Sequence, residues 1–560
     1  MPSSTPSERE PLLEVVPLGG VGEFGMNMMA VASASTTLLL DAGAMLPGPE
    51  HLGVDLIVPD LTFLQQSERR LSALVLTHGH EDHIGAVPYV WHLLDGPVYG
   101  TPLTLALLEP KLEAHAIDTA DRLVAVTPRE RVAIGSLEVE FIRVTHSMPD
   151  CVAIAVHTPA GTILHTGDFK FDQTPIDGEP ADTRRLAQLG TEGVLALFAD
   201  STNIARKGHS GSERDVIAAF EELFAGTRGK LVVAPFSSSI HRVQILVDLA
   251  VRFNRKVALV GRGVRHNAAA AQRLGYLDIP AGVQIRDRDV EHYAPEQVLC
   301  IVTGSQGEPL AALSRIAVDA HRHVKLERGD VVVFSARAIP GNQRAIGRLQ
   351  DHIARRGAGC VDASVKAVHV SGHASEEELK LMLSLVSPRY FVPIHGEYRY
   401  LARHAQVADQ VTNGRAAVLL VENGSRIGFD AEGGWIAGTV PAGHVLIDGT
   451  RAGEVADEVL RDRRHLAGDG VVVLVIAINP RDGLVEAEPT VTTRGFVVDD
   501  RTGAALDEVP RFVRGVLDAE SIEQRTDQCF VRERIRVELQ RFLRKRTGRR
   551  PLVLPVILET

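Results

Sequence analysis

Short runs of aliphatic and β-branched residues recur along the chain, each closed by Gly, Pro, Asp or His, and stretches of helical period lie between many of them. Leu71–Leu76 is short, apolar and bounded, which predicts a buried strand. Leu137–Val144 alternates apolar and polar positions, as a half-buried strand does. Thr37–Leu40, Gly161–Thr166, Tyr390–Ile394 and Ala417–Val421 read as further strands, and Ile84–Leu94 as a helix starting near Asp82. A second set, Lys230–Pro235, Lys256–Val260, Val298–Val302 and Asp330–Phe334, alternates with the helical segments Ile240–Ala250 and Asn342–Ala354. That alternation predicts a parallel sheet covered on both faces. Between about 443 and 470 Gly, Asp and Arg become frequent, and a linker is expected. Beyond it Val471–Ile478 and Thr490–Val497 read as strands, Glu523–Lys545 as a helix and Leu552–Leu558 as a last strand, a small α+β domain. Ile535, Leu539, Phe542 and Leu543 fall on one face of that helix, and arginines decorate the rest.

At 560 residues the chain is long enough for about two to four domains with a substantial core. Its longest strongly apolar run, Val471–Ile478, is far short of the roughly 20 residues of a membrane span. Residues 1–10 lack a basic region followed by an apolar core, so no secretory signal is expected, only a disordered tail. Cys151, Cys300, Cys360 and Cys529 are scattered and form no Cys-x-x-Cys, as expected of unpaired thiols in a reducing cytoplasm. The net charge of −11 argues mildly against a nonspecific nucleic-acid binder, although Arg206-Lys207 and Arg262, Arg265 and His266 form local basic patches.

Thr77-His-Gly-His-Glu-Asp-His83 follows the Leu71–Leu76 strand directly. The carboxyl end of a strand is where α/β proteins place their ligands. His78 and His80, two apart in an extended loop, can face one centre, and Asp82 and His83, at the turn into a helix, a second. Imidazole with carboxylate suits zinc, manganese or iron, and a pair of such ions suits phosphate ester hydrolysis. Two ions need more ligands, at least one of them a bridging carboxylate. His146, Asp168 and His395 each stand at a strand end beside a small residue and are the candidates. Asp41, after Thr37–Leu40, is placed to orient a ligand histidine. Gly20, Gly22 and Gly25 spell Gly-x-Gly-x-x-Gly, but Met26–Ala32 reads as a strand, so these glycines predict a turn rather than a dinucleotide site.

In this order the residues resemble the metallo-β-lactamase superfamily. The resemblance implies one ion held by His78, His80 and His146, another by Asp82, His83 and His395, and Asp168 bridging them. The long α/β insertion between Asp168 and His395 resembles the β-CASP nucleases, whose extra motifs fall on Asp200, His373 and His395. Leu18–Asn27, Thr303–Pro309, Ile339–Asn342 and His369–His373 are similar to segments of the ribonuclease J family, and the likeness runs from Pro11 to Glu559. The implied fold is an αββα sandwich built from 11–210 and 366–442, an inserted cap at 211–365, and a C-terminal α+β domain at 471–560. The implied activity is RNA maturation and decay by 5′-to-3′ exonuclease action on 5′-monophosphate ends, with endonuclease activity besides.

The catalytic set expected on this resemblance is Asp82, His83, Asp168 and His373, with two divalent ions, zinc or manganese, per subunit. Phe236, Ser237 and Ser238, with His369, Val370, Ser371, Gly372 and His373, are the expected contacts to RNA. The Ser371-Gly372 turn beside His373 is shaped to cradle a phosphate through backbone N–H groups. The implied partners are single-stranded RNA, a second copy of the chain or more, and RNA-degradation proteins, in the cytoplasm and without a membrane. Three rivals remain: another β-CASP nuclease, acting on RNA 3′ ends or on DNA; a small-ester hydrolase on the same fold; and a catalytically dead RNA-binding scaffold, whose signature would be lost ligands, and none is lost.

Overall fold

The computed structural model describes residues 10–48, 51–66, 70–308, 310–339, 342–448, 457–496 and 500–559. The expected disordered tail lies, but for Glu10, outside them. The chain forms two compact units, one running to Leu46 and over Ile57–Val445, the other joining Pro47–Leu56 to the chain from Leu446 onward.

Two sheets make the frame of the larger unit. The first orders its eight strands Gly434–Thr439, Ser425–Phe429, Leu13–Gly19, Met28–Ser33, Thr36–Leu40, Leu71–Val75, Val98–Gly100 and Leu123–Ala125. The second orders seven: Ala417–Val418, Tyr390–Ile394, Val194–Asp200, Gly161–His165, Val152–Thr158, Leu137–Arg143 and Arg131–Ile134. One apolar cluster joins them, with Val31, Leu40 and Val75 from the first sheet and Phe141, Ile154 and Phe198 from the second. Val194–Asp200 is buried throughout because both its faces are covered, so it shows no alternation. Thr183–Glu192, Glu376–Val386 and Tyr398–Thr412 are among the helices outside the sheets. This is the expected αββα sandwich.

Inserted in it is a six-stranded, wholly parallel sheet, ordered Gln284–Ile285, Lys256–Val260, Val298–Val302, Leu231–Pro235, Val331–Ser335 and Gly359–Val361. The four inner strands are the predicted ones; the two edge strands are too short to leave a pattern. Because every strand runs the same way, the loops from Phe236, Thr303 and Ala336 leave the same edge of the sheet. The expected helix Ile84–Leu94 is instead three short pieces, Glu81–Ile84, Val87–Val90 and the 3-10 turn Trp91–Leu93. Pro88 has no N–H to continue a helix and sits in the first turn of a new one.

The smaller unit has a sheet ordered Thr490–Arg494, Val471–Ile478 and Leu552–Glu559. Its core joins Val472, Leu474 and Ile476 to Val509, Val513 and Leu517 and to Ile535, Leu539 and Leu543. Three expectations need correction here. The expected linker at 443–470 carries the strand His444–Ile447 and the helix Asp457–Asp469, with Leu460 buried. The helix Asp500–Asp518 was not anticipated: Gly503 and Pro510 hide its period, yet Val509, Val513 and Leu517 recur at helical spacing and are buried. The expected helix Glu523–Lys545 is two, Ile522–Arg525 and Gln528–Thr547, because the Asp527 carboxylate accepts from Phe530 N (3.1 Å) and starts a new helix. Among the described residues no helix is long and apolar enough to cross a membrane.

Candidate metal centre

Six strand ends of the sandwich converge. Asp41 follows Thr36–Leu40, His78 and His80 follow Leu71–Val75, His146 follows Leu137–Arg143, and Asp168 follows Gly161–His165. Asp200 ends Val194–Asp200 and His395 follows Tyr390–Ile394. Asp41 (φ +57°) and His395 (φ +55°) take the left-handed backbone, the sharp turn that aims each side chain back over its sheet. Gly43 admits the Asp82 carbonyl so closely that a Cβ there would lie 1.7 Å from it.

The seven expected ligands meet in two groups that share Asp168. In the first, His80 Nδ1 lies 3.0 Å from His78 Nε2 and 3.1 Å from His146 Nε2. Asp168 Oδ2 is 3.6 Å from His78 Nε2 and 3.7 Å from His146 Nε2. In the second, Asp82 Oδ2 is 3.2 Å from His395 Nε2 and 3.7 Å from His83 Nε2, and Asp168 Oδ1 is 3.3 Å from His83 Nε2. Ligand atoms about 2.0–2.2 Å from a tetrahedral ion lie roughly 3.3–3.6 Å from one another, so this spacing suits shared cations. Asp168 Oδ1 is buried and accepts no hydrogen bond. A buried carboxylate oxygen without a donor, set among ligand-type atoms, suits a cation.

Each of the five imidazoles is anchored at one nitrogen, which leaves the other facing the cluster; at His83 that nitrogen, Nε2, also lies 3.1 Å from Asn27 Nδ2. His78 Nδ1 donates to Thr77 Oγ1 (3.0 Å), His80 Nε2 to Ser147 Oγ (3.4 Å) and His83 Nδ1 to Asp41 Oδ2 (2.8 Å). His146 Nδ1 donates to the Gly372 carbonyl (2.7 Å) and His395 Nδ1 to Thr202 Oγ1 (2.6 Å). Asp41 is fixed in turn by Thr77, whose N and Oγ1 donate to its two oxygens (2.8 and 2.9 Å). Such outer partners set tautomer and ring angle. Burial, then neighbouring imidazole charge, holds His78 and His146 well below the ordinary histidine value, and burial takes His80 down to about 4. All three are therefore neutral, as ligands must be. Burial works the other way on Asp168, but the His395 and His83 charges outweigh it and keep the carboxylate ionised.

His373 stands over the centre. Its Nδ1 donates to Asp200 Oδ2 (2.8 Å), and its ring stacks on His395 with centroids 5.5 Å apart. Asp168 Oδ2 is 3.8 Å from the same nitrogen. The expected RNA contacts fall around it. Ser371 Oγ accepts from Asn203 Nδ2 (2.7 Å), and Gly372 packs so tightly on His146 that a Cβ would come within 2.7 Å of the ring. Phe236 meets His369 edge to face at 6.3 Å, Val370 is half-buried beside it in sequence, and the Ser237 carbonyl accepts from Asn267 Nδ2 (3.0 Å). Ser238 caps the loop through its carbonyl, which accepts from Ile240 N (2.8 Å). Arg262, Arg265 and His266 lie exposed on the cap helix Arg262–Arg273, with no contact to the cluster. The residues that sequence reasoning missed are anchors rather than ligands: Thr77, Ser147, Thr202, Asn203, and Asn27, whose Nδ2 reaches the Asp82 carbonyl (3.2 Å). Thr77 and Thr202 do adjoin the motifs they brace, the one signal the sequence offered.

Comparison with known proteins agrees with this geometry. Residues 21–234 match the metallo-beta-lactamase superfamily profile, 228–353 the ribonuclease J beta-CASP domain, 360–418 a zinc-dependent metallo-hydrolase RNA specificity domain, and 458–560 the ribonuclease J C-terminal domain. The last match begins inside the stretch expected to be a linker. The chain is similar to ribonuclease J2 of Bacillus subtilis, 37% identical over 98% of both chains. It is 36% identical to ribonuclease J 1 of Streptococcus pyogenes over 97% of both, and 41% identical to ribonuclease J of Synechocystis over 87% of this chain and 76% of that one. A solved Enterococcus faecalis protein of unknown function shares the fold, with a TM-score of 0.53 at 16% identity, over 74% of this chain and all of that one. With its ligand-type residues in place, the chain is a metal-dependent ribonuclease and belongs to the ribonuclease J family.

Proposed function

We propose that the protein degrades RNA from a 5′-monophosphate end, releasing nucleotides processively toward the 3′ end, and also cuts internally. The observation that carries the reading is Asp168, whose Oδ2 faces His78 and His146 while Oδ1, without a donor, faces His83. Two divalent ions, zinc or manganese, would be held by His78, His80 and His146 and by Asp82, His83 and His395, with Asp168 shared. Ions so held supply charge neutralisation at phosphorus and acidify water into a nucleophile. Asp200 keeps the Nδ1 proton of His373 in place, so Nε2 is the atom that stabilises a non-bridging oxygen or protonates the leaving 3′-oxygen. The Ser371-Gly372 turn would cradle a phosphate, and Phe236 gives a base a face on which to stack.

Water as nucleophile makes no use of a 2′-hydroxyl, so RNA selectivity comes from the cleft between the sandwich (11–210 and 366–442) and the cap (211–365). The enzyme would act in the cytoplasm as a homodimer or larger assembly, alongside RNA-degradation proteins. The smaller unit supports association, because Leu554, Val556 and Leu558 leave one face of its sheet apolar and exposed. The test is digestion of one end-labelled RNA carrying a 5′-monophosphate, 5′-triphosphate or 5′-hydroxyl, beside matched DNA. Monophosphorylated RNA should be shortened fastest, with mononucleotide products. Equal rates on monophosphate and triphosphate ends, or equal cleavage of the DNA, would remove the proposed end recognition.

A further inference from the structure

Arg242 is the largest completely buried side chain among the described residues, and its hydrogen bonds go to Glu213, Ser335 and Val368 rather than to the metal-ligating residues. It lies in the cap helix Ile240–Arg252, which opens directly after the Phe236–Ser239 loop. Its Nε and Nη2 donate to Glu213 Oε2 (2.9 and 2.7 Å), and its Nη1 donates to Ser335 Oγ (2.6 Å) and to the Val368 carbonyl (2.8 Å). Ser335 Oγ donates to the same carbonyl (2.7 Å). Behind Glu213 the chain continues into the sandwich. Glu213 N donates to Asp172 Oδ2 (3.2 Å), and the buried Lys170 Nζ donates to the Gly211 carbonyl (3.1 Å), 3.6 Å from Asp172 Oδ2. Two cations and two carboxylates thus balance out of water.

Stability alone does not account for such a group, since a buried ion pair is often no better than apolar residues of equal volume. Its connections are more telling. Val368 leads straight into His369–His373, whose Gly372 carbonyl holds His146 and whose His373 meets Asp200. Asp172 ends the run that Asp168 begins. One planar guanidinium therefore ties a cap helix and a cap strand end to the segment that carries His373. A lysine lacks the fork needed to hold Glu213, Ser335 and Val368 together.

We propose that Arg242 is a positioning residue: from the cap it fixes the Val368–His373 segment, and through it the placement of His373 and His146 for phosphodiester cleavage. The proposal rests on the role given to His373 above. It is tested with the double variant Arg242→Met, Glu213→Gln, which removes both charges and leaves neither buried alone. Melting temperature should stay near wild type and KM within about twofold, while kcat falls by about 100-fold, the scale of a misplacement near 1 Å. Arg242→Lys should not restore kcat. A double variant with wild-type kcat would overturn the proposal and leave Arg242 a purely structural clamp. If the double variant does not fold, Ser335→Ala decides: kcat lowered several-fold at unchanged melting temperature and KM supports positioning, and unchanged kcat overturns it. His373→Ala, run alongside, separates the two readings. A His373→Ala enzyme at the wild-type rate removes the role of His373, whereas a slow one beside a fast double variant removes only that of Arg242.

Discussion

Two of the places where the molecule buries charge are built on opposite plans. Around Arg242, two carboxylates face two side-chain cations, and the guanidinium gives four hydrogen bonds to Glu213, Ser335 and Val368 within 2.9 Å. Around Asp168, among the described residues, the carboxylates face imidazoles, each anchored at one nitrogen and turned with the other toward the cluster. Each region leaves one carboxylate oxygen without a donor, Glu213 Oε1 and Asp168 Oδ1. Glu213 accepts two hydrogen bonds from Arg242 at its other oxygen and has the Lys170 charge nearby, whereas Asp168 Oδ1 faces the imidazoles of His83 (3.3 Å) and His395 (3.7 Å). The first region is closed by its own side chains. The second is a set of His and Asp ligand atoms that could hold metal ions, and that difference separates a self-neutralised charge cluster from a site for chemistry.

The sharpest way to break the contrast is to remove a ligand of the second group, Asp82 or His83. Asp82→Ala or His83→Ala should lower RNA cleavage by about a thousandfold or more, the scale of lost metal catalysis, while circular dichroism shows the fold retained. Unfolding of both variants would make these residues structural rather than metal-ligating. His373→Ala, which leaves the metal ligands in place, should cost about 10²–10⁴ in kcat, the range for a positioned acid or base, with metal content unchanged. Loss of metal in that variant would move His373 into the ligand set.

Removing one partner of the charge cluster should show in stability assays as well. Glu213→Gln strands Arg242 in the interior and should cost about 3–5 kcal/mol at neutral pH, measured by denaturant unfolding. Burial raises the Glu213 value, but Arg242 and Lys170 outweigh it and leave it below the ordinary glutamate value. The stabilisation is therefore present above the unfolded value, near 4.3, and fades as pH falls through the lower folded one. The gap between wild type and Glu213→Gln should narrow below about pH 4; a gap constant with pH would mean that Glu213 is protonated in the fold. The smallest effect should come from Glu109→Ala, which breaks the exposed pair between Arg273 and Glu109 (3.4 Å). Less than about 1 kcal/mol is expected, because solvent screens both partners.

What the sequence disclosed follows the same division. Ligands stand at strand ends in a spacing that coordination itself dictates, so His78, His80, Asp82, His83, His146, Asp168 and His395 could be named before any contact was seen, and the structure brings all seven together. Thr36–Leu40, Leu71–Val75 and the four inner cap strands were legible from their apolar runs, whereas Val152–Thr158 and Val194–Asp200, central in the second sheet, were not singled out. Residues that act across distance in the chain were not. Arg242 reads as one more polar position on an amphipathic helix, and its partners Glu213, Ser335 and Val368 are 29, 93 and 126 residues away. Helix Asp500–Asp518 was hidden for a local reason, since Gly503 and Pro510 lower its propensity and packing against Val531, Ile535 and Leu539 restores it.

The central claim is that Asp168 joins two cation sites into one catalytic centre. The direct measurement is the metal content per chain of wild type and of Asp168→Asn, by elemental analysis after dialysis, with cleavage of end-labelled RNA assayed on the same samples. Two ions per chain in wild type, fewer in Asp168→Asn and no cleavage by the variant are the expected result. Full cleavage by metal-free wild type, or two ions and wild-type cleavage in Asp168→Asn, would contradict the account.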